Sequence, residues 1–162
     1  MITLQHILLP TDFSEPSDAA FRYALTLARA IGARLSFLHV PGTAGHNFEA
    51  SFPFAQFENA ARERLAALLS QEEIAQLRPE YAVRIGTPAA EIVRYAEVRE
   101  VDLIVMGTHG RSGVAHLVMG SVAEQVVRAA SCPVLLVRHS KDTVVAAPAM
   151  VPIADVAGQK AE

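Results

Sequence analysis

The chain has a single cysteine, Cys132, and no tryptophan. One thiol excludes an intrachain disulfide, a cysteine-based zinc site and a CxxC redox pair, and its place before Pro133 reads as structural. Positive charge is also scarce: 14 Lys and Arg stand against 17 Asp and Glu, for a net charge of -3. Without a basic cluster, binding to nucleic acid or anionic lipid has no electrostatic footing. No apolar run reaches membrane-spanning length, and residues 1–6 lack the basic and apolar regions of a signal peptide. The cytoplasm is therefore the expected location, with no membrane partner. Catalytic signatures are missing too. There is no Walker lysine and no G-x-S-x-G elbow, and the six histidines show no H-E-x-x-H spacing.

What the chain does have is a core. Its 162 residues are 51% hydrophobic and 19% charged, enough for one domain with a substantial interior. Apolar runs at 7–9, 35–40, 81–85, 102–106 and 134–137 read as buried strands. Between them lie helical patterns. Ser14, Glu15 and Pro16 start the first, which carries Ala20, Ala24, Leu27, Ala28 and Ile31 on one face up to Gly32. Phe57, Ala61, Leu65 and Leu68 mark a second, with a short helix at 72–77 before Pro79. Thr87 and Pro88 open a third, with Ala89, Ile92, Val93 and Ala96 facing inward. Ser121 opens the last, with Ala123, Val126, Val127 and Ala130. Strict alternation of strand and helix predicts an α/β fold with a parallel sheet and right-handed crossovers.

The site chemistry gathers where strands end. After the fourth strand come Gly107, Thr108, His109, Gly110, Arg111, Ser112 and Gly113, then Gly120, Ser121 and Val122 at a helix start. Glycines there let backbone N–H groups approach an anion, and a helix N-terminus offers unpaired donors, so this stretch reads as a phosphate cradle. The alternative is a surface turn followed by a capping box, since Ser121 and Glu124 have S-x-x-E spacing. In an open parallel sheet the ligand crevice lies at the carboxyl ends of the strands, where strand order reverses. Pro10, Thr11 and Asp12 after the first strand and Val40 after the second would then complete a nucleotide-shaped cleft. Asp12 would accept from ribose hydroxyls or sit near a phosphate-bound metal, unless it caps the first helix. His109 and His116 flank the loop and read as solvent-exposed or structural.

The spacing Gly107-x2-Gly110-x9-Gly120-Ser121 resembles the ATP-binding motif of the universal stress protein family. Residues 6–14 are similar to the family's opening strand and acidic turn, and residues 107–137 to its signature region. The resemblance implies an open, Rossmann-like five-stranded parallel sheet in order 3-2-1-4-5 with helices on both faces, over residues 1–138. It implies an adenine nucleotide (ATP, ADP or AMP), with Mg2+ or Mn2+. Pro10, Thr11, Asp12 and Val40 would surround adenine and ribose; residues 107–113 with Gly120, Ser121 and Val122 would hold phosphates and ribose. It also implies a homodimer along the fifth strand, Val134, Leu135, Leu136 and Val137. That apolar edge, left bare, would invite aggregation. Residues 139–162 read as a C-terminal extension, mobile unless Val144, Val145, Met150 or Val151 pack against the body or a partner. A regulator that holds ATP and acts through dimer or partner contacts is the leading expectation, its protein partner unnamed by the sequence. A slow metal-dependent ATPase or phosphotransferase in the same cleft is the alternative.

Overall fold

The computed structural model describes residues 4–41, 53–108 and 119–138. Five strands, β1 (His6–Pro10), β2 (Arg34–His39), β3 (Glu80–Val83), β4 (Leu103–Gly107) and β5 (Val134–Val137), form one sheet in order β3-β2-β1-β4-β5. Every neighbouring pair is parallel. Helices α1 (Glu15–Ile31), α2 (Phe54–Ala66), α3 (Gln71–Leu77), α4 (Pro88–Val98) and α5 (Ser121–Ala129) supply the connections. The expected sheet order is the observed one.

The strands are apolar on both faces because both faces are covered. Alternate side chains go opposite ways: Ile7, Leu9, Leu35, Phe37 and Val105 pack with α1, α2 and α3, whereas Leu8, Leu38, Ile104 and Met106 pack with α4 and α5. Ile7, Leu8 and Leu9 have no exposed surface, and burying a side chain of this size stabilises the fold by about 1.5–3 kcal/mol. β1 is thus the central strand that its short apolar run implied.

Helix ends follow the sequence signals closely. Ser14 caps α1, accepting from the Ser17 N–H at 3.4 Å, and Gly32 closes the helix in the left-handed conformation (φ 69°), its N–H donating to the Ala28 carbonyl. The short third helix carries a capping box in which Ser70 and Glu73 satisfy each other's backbone N–H. Thr87 sits at the α4 cap position, but its side chain makes no capping bond.

The buried faces differ from expectation in detail. On α1, Phe21 and Leu25 turn inward and Ile31 is 44% exposed, because the stripe Ser17-Ala20-Phe21-Ala24-Leu25-Ala28 follows the helical period one step earlier. Leu69 replaces Leu68 in the core because α2 stops at Ala66 and the chain turns. Tyr95 is buried on α4 where Val93 was expected, and Val127 on α5 lies exposed. The third strand is also earlier and shorter than the alternating 81–85 run suggests: Arg84 and Ile85 fall outside it and are exposed. Cys132 is half-buried, and desolvation pushes its thiol pKa up, which suits the structural role read from the sequence.

At the amino ends of the strands lies a polar network that the sequence did not announce. His6 is buried; its Nδ1–H donates to the Arg99 carbonyl at 3.0 Å and its Nε2 accepts from the Ser36 hydroxyl at 2.7 Å. Asp102 Oδ2 accepts from the Gln5 and His6 N–H groups at 2.8 and 2.9 Å, tying β1 to the start of β4. Burial lowers the His6 pKa, and the nearby Arg34 guanidinium lowers it further, outweighing the Glu80 carboxylate. A folded-state pKa below the unfolded value of about 6.5 makes the unfolded chain take up the proton first. This stabilisation is complete above about pH 6.5 and lost as pH falls toward the folded-state pKa. Thermal melts between pH 7 and 5 should therefore show a downward slope that His6→Gln reduces; an unchanged slope would locate the acid sensitivity elsewhere.

Candidate functional site

The turn after β1 is built by an aspartate and two serines. One oxygen of Asp12, Oδ1, accepts from the Ser14 N–H at 3.0 Å and from the Ser14 and Ser17 hydroxyls at 2.5 Å each. The Thr11 hydroxyl accepts from the Phe13 N–H at 3.1 Å, and Phe13 takes the left-handed region at φ 62°. A bulky residue at positive φ is uncommon and costs of order 1 kcal/mol, so this turn is held against a local preference by its hydrogen bonds. Asp12 therefore supports the α1 start, as one reading of the sequence had it, and it does so at the carboxyl edge of the central strand.

His39 anchors the same turn from β2. Its Nδ1–H donates to the Thr11 carbonyl at 2.8 Å, since a carbonyl can only accept, and its ring lies 4.9 Å from that of Phe13. The sequence pointed to the segment containing His39 and Val40 but gave the histidine itself no role. An apolar strand that ends in His was the available signal. Thr11 also donates its N–H to the Leu38 carbonyl at 2.9 Å, so the ends of β1 and β2 are fastened together. Pro10, buried at the last position of β1, is paired with Leu38.

On the other side of β1, Gly107 ends β4. A Cβ there would lie 2.8 Å from the Pro16 carbonyl oxygen and 3.1 Å from the Pro16 Cβ, so α1 approaches β4 as closely as glycine permits. Gly107 thus belongs to the strand and is required by strand–helix packing, whatever it offers a ligand. Thr108, buried, donates its N–H to the Val137 carbonyl at 3.1 Å, while its own carbonyl accepts from the Gly120 N–H at 2.6 Å. Residues 108 and 120 are therefore in contact, and the segment joining them begins and ends at one place.

Gly120, not Ser121, is the N-cap of α5, and no side chain caps this helix. The capping-box alternative for Ser121 and Glu124 is therefore not realised; the Glu124 carboxylate pairs instead with Arg128 at 2.8 Å. Helix geometry leaves the N–H groups of Ser121, Val122 and Ala123 without intrahelical acceptors. Ser121 is exposed there, while Val122, Met119 and Val40 pack against the same apolar cluster under the sheet.

The structure thus brings Pro10, Thr11, Asp12, Val40, Gly107, Thr108, Gly120, Ser121 and Val122 to the carboxyl end of the sheet, around the β1/β4 switch point. His109, Gly110, Arg111, Ser112 and Gly113 lie outside the described residues, as does His116. Two shallow recesses beside this region share Thr11, Phe13, Phe37 and Ala61 and face α2; neither is lined by Gly107, Thr108, Gly120 or Val40. Among the described residues, no cluster of three His, Cys, Asp or Glu side chains could hold a metal ion, and no helix is long and apolar enough to cross a membrane.

An open parallel sheet with its polar and glycine-rich turns at a β1/β4 switch point defines a Rossmann-like α/β domain. Residues 3–138 match the model of the universal stress protein family, and the chain belongs to that family. A universal stress protein of Methanocaldococcus jannaschii is 34% identical over 148 residues, with 83% of this chain and 82% of the relative covered. The solved universal stress protein UspA of Lactobacillus plantarum superposes with a TM-score of 0.66 at 27% identity, over 83% of this chain and 98% of that one. Another universal stress protein, solved in complex with cAMP, shares the fold with a TM-score of 0.63 at 24% identity, over 85% and 99% of the two chains.

Proposed function

We propose that this protein binds an adenine nucleotide, ATP or the related ADP or AMP, at the carboxyl end of its sheet, and acts in the cytoplasm as a stress-response regulator. The contact between Thr108 and Gly120 carries the reading. It sets the end of β4 against the start of α5, where three N–H groups lack intrahelical partners. A phosphate there would accept from these donors and meet the positive end of the helix dipole. The dipole alone contributes only about 0.3–1 kcal/mol, so the bound state needs the several hydrogen bonds that the glycines would add. Thr11, Asp12 and Val40 would face ribose and base from the β1 and β2 ends. A universal stress protein of the same fold has been solved with cAMP, an adenine nucleotide.

The described side chains do not make a resident metal site. Mg2+ or Mn2+ would accompany the phosphates of the nucleotide. Asp12 Oδ1 accepts from the Ser14 and Ser17 hydroxyls, which gives this carboxylate a role in the turn. Nucleotide occupancy would act on the dimer surface or on a protein partner, because Thr108 joins the phosphate end of the site to Val137 of β5.

Calorimetric titration with ATP tests the phosphate end. Gly110→Val should weaken binding by at least about tenfold, equivalent to about 1.4 kcal/mol, while the fold signature by circular dichroism is retained. Equal affinities in wild type and variant would place the nucleotide elsewhere.

A further inference from the structure

His39 ends β2 and reaches across to the turn after β1. It is only 7% exposed, so bulk water does not compete for the bond from its Nδ1–H to the Thr11 carbonyl, 2.8 Å long. The N–H of the same peptide group, that of Asp12, donates to the Ser17 hydroxyl oxygen at 3.3 Å. The Thr11–Asp12 peptide is therefore gripped at both ends, its carbonyl from β2 and its N–H from α1. The imidazole also packs on the ring of Phe13, the next residue of the turn and one held at positive φ.

The backbone of His39 is fixed as firmly as its ring. It pairs with Val83 of β3, and its carbonyl accepts from the Arg84 N–H at 3.0 Å. The next residue, Val40, packs into the apolar cluster on the α4 and α5 side. One residue thus joins the two segments expected to enclose ribose and base: its side chain holds Thr11 and Asp12, and its backbone carries Val40. We propose that His39 is a positioning residue for the nucleoside, its Nδ1–H fixing the Thr11–Asp12 turn at the separation from Val40 that base and ribose require. This rests on the adenine-nucleotide reading and adds to it a residue that need not touch the ligand. Groups that bind a ligand are held to within about 0.5 Å by the packed residues behind them. Without His39 the Thr11 carbonyl loses its side-chain donor, and the turn shifts to find another.

Calorimetric titration of the full chain with ATP tests it. His39→Phe keeps a ring against Phe13 but has no N–H, and should weaken ATP binding about tenfold. His39→Gln carries its amide near the place of Nε2 and should lose as much. His39→Asn carries its amide near the place of Nδ1 and should bind within about threefold of wild type. If His39→Phe does not fold, the contrast between Asn and Gln decides alone. A double variant shows whether His39 acts through the turn. Added to Asp12→Ala, His39→Phe should weaken binding by less than about twofold more, because the turn is already released; independent losses would multiply. Wild-type affinity in His39→Phe, rescue by Gln as good as by Asn, or multiplied losses in the double variant would each overturn the proposal. Wild-type protein that fails to bind ATP would sink the nucleotide reading, and the proposal with it; wild-type binding that His39→Phe leaves intact sinks the proposal alone.

Discussion

Gly107→Val is expected to destabilise the domain by about 1–3 kcal/mol, the range for forcing carbon into a packed interior, with Gly107→Ala showing a smaller loss in the same direction. The obstacle is backbone: an added Cβ would meet the Pro16 carbonyl oxygen at 2.8 Å, and a carbonyl in the first turn of α1 cannot rotate aside. Relief would need α1 to lift from β4 or β4 to slide in the sheet. Either shift disturbs Val105, which has no exposed surface, and the pairing of Gly107 with Val137. Denaturant unfolding measures the effect directly as a lower midpoint at unchanged slope. If Gly107→Ala unfolds at the wild-type midpoint, the close approach of α1 carries no weight, and the glycine would be explained by its ligand alone.

Asp12→Ala should have the second large effect, and a double one. Three hydrogen bonds converge on its Oδ1, from the Ser14 N–H and the hydroxyls of Ser14 and Ser17. Bonds to a charged acceptor contribute about 1.5–3 kcal/mol in favourable cases, and this residue is partly solvated, so a loss of about 1–2 kcal/mol is expected. The turn holding Phe13 at positive φ would loosen with it. Nucleotide affinity should fall as well, through loss of both the carboxylate and the turn geometry. Asp12→Asn separates the two contributions. Its amide oxygen can still accept, so much of the stability should return, while affinity should stay below wild type if the charge itself faces the ligand or its metal. An Asp12→Ala variant as stable as wild type would show that the serine network contributes little.

The sheet was legible in the sequence because buried parallel strands need continuous apolar runs, and residues 7–9, 103–106 and 134–137 have them. The helix ends were legible where a cap carries its own chemistry, as at Ser14 and Gly32. Buried faces were less so. Leu27 and Ile31 look as apolar as Phe21 and Leu25, and only the direction from which the sheet approaches decides among them. Residue type led to candidate site residues at strand ends, but not to what they touch. Nothing in the one-dimensional pattern distinguishes a glycine that admits phosphate from one that admits Pro16, or gives His39 its bond to Thr11 and His6 its bond to Ser36, partners 28 and 30 residues away. The contact between Thr108 and Gly120 was likewise not legible in the spacing of the glycines.

The most direct measurement is of what the protein holds. The protein is purified, denatured to release small molecules, and the released fraction analysed by mass spectrometry; refolded or ligand-stripped protein is then titrated with ATP, ADP and AMP. Nucleotide binding at the carboxyl end of the sheet predicts a released adenine nucleotide or, if purification has removed it, saturable binding that Gly110→Val weakens. No released nucleotide and no saturable binding by the wild-type protein would contradict it.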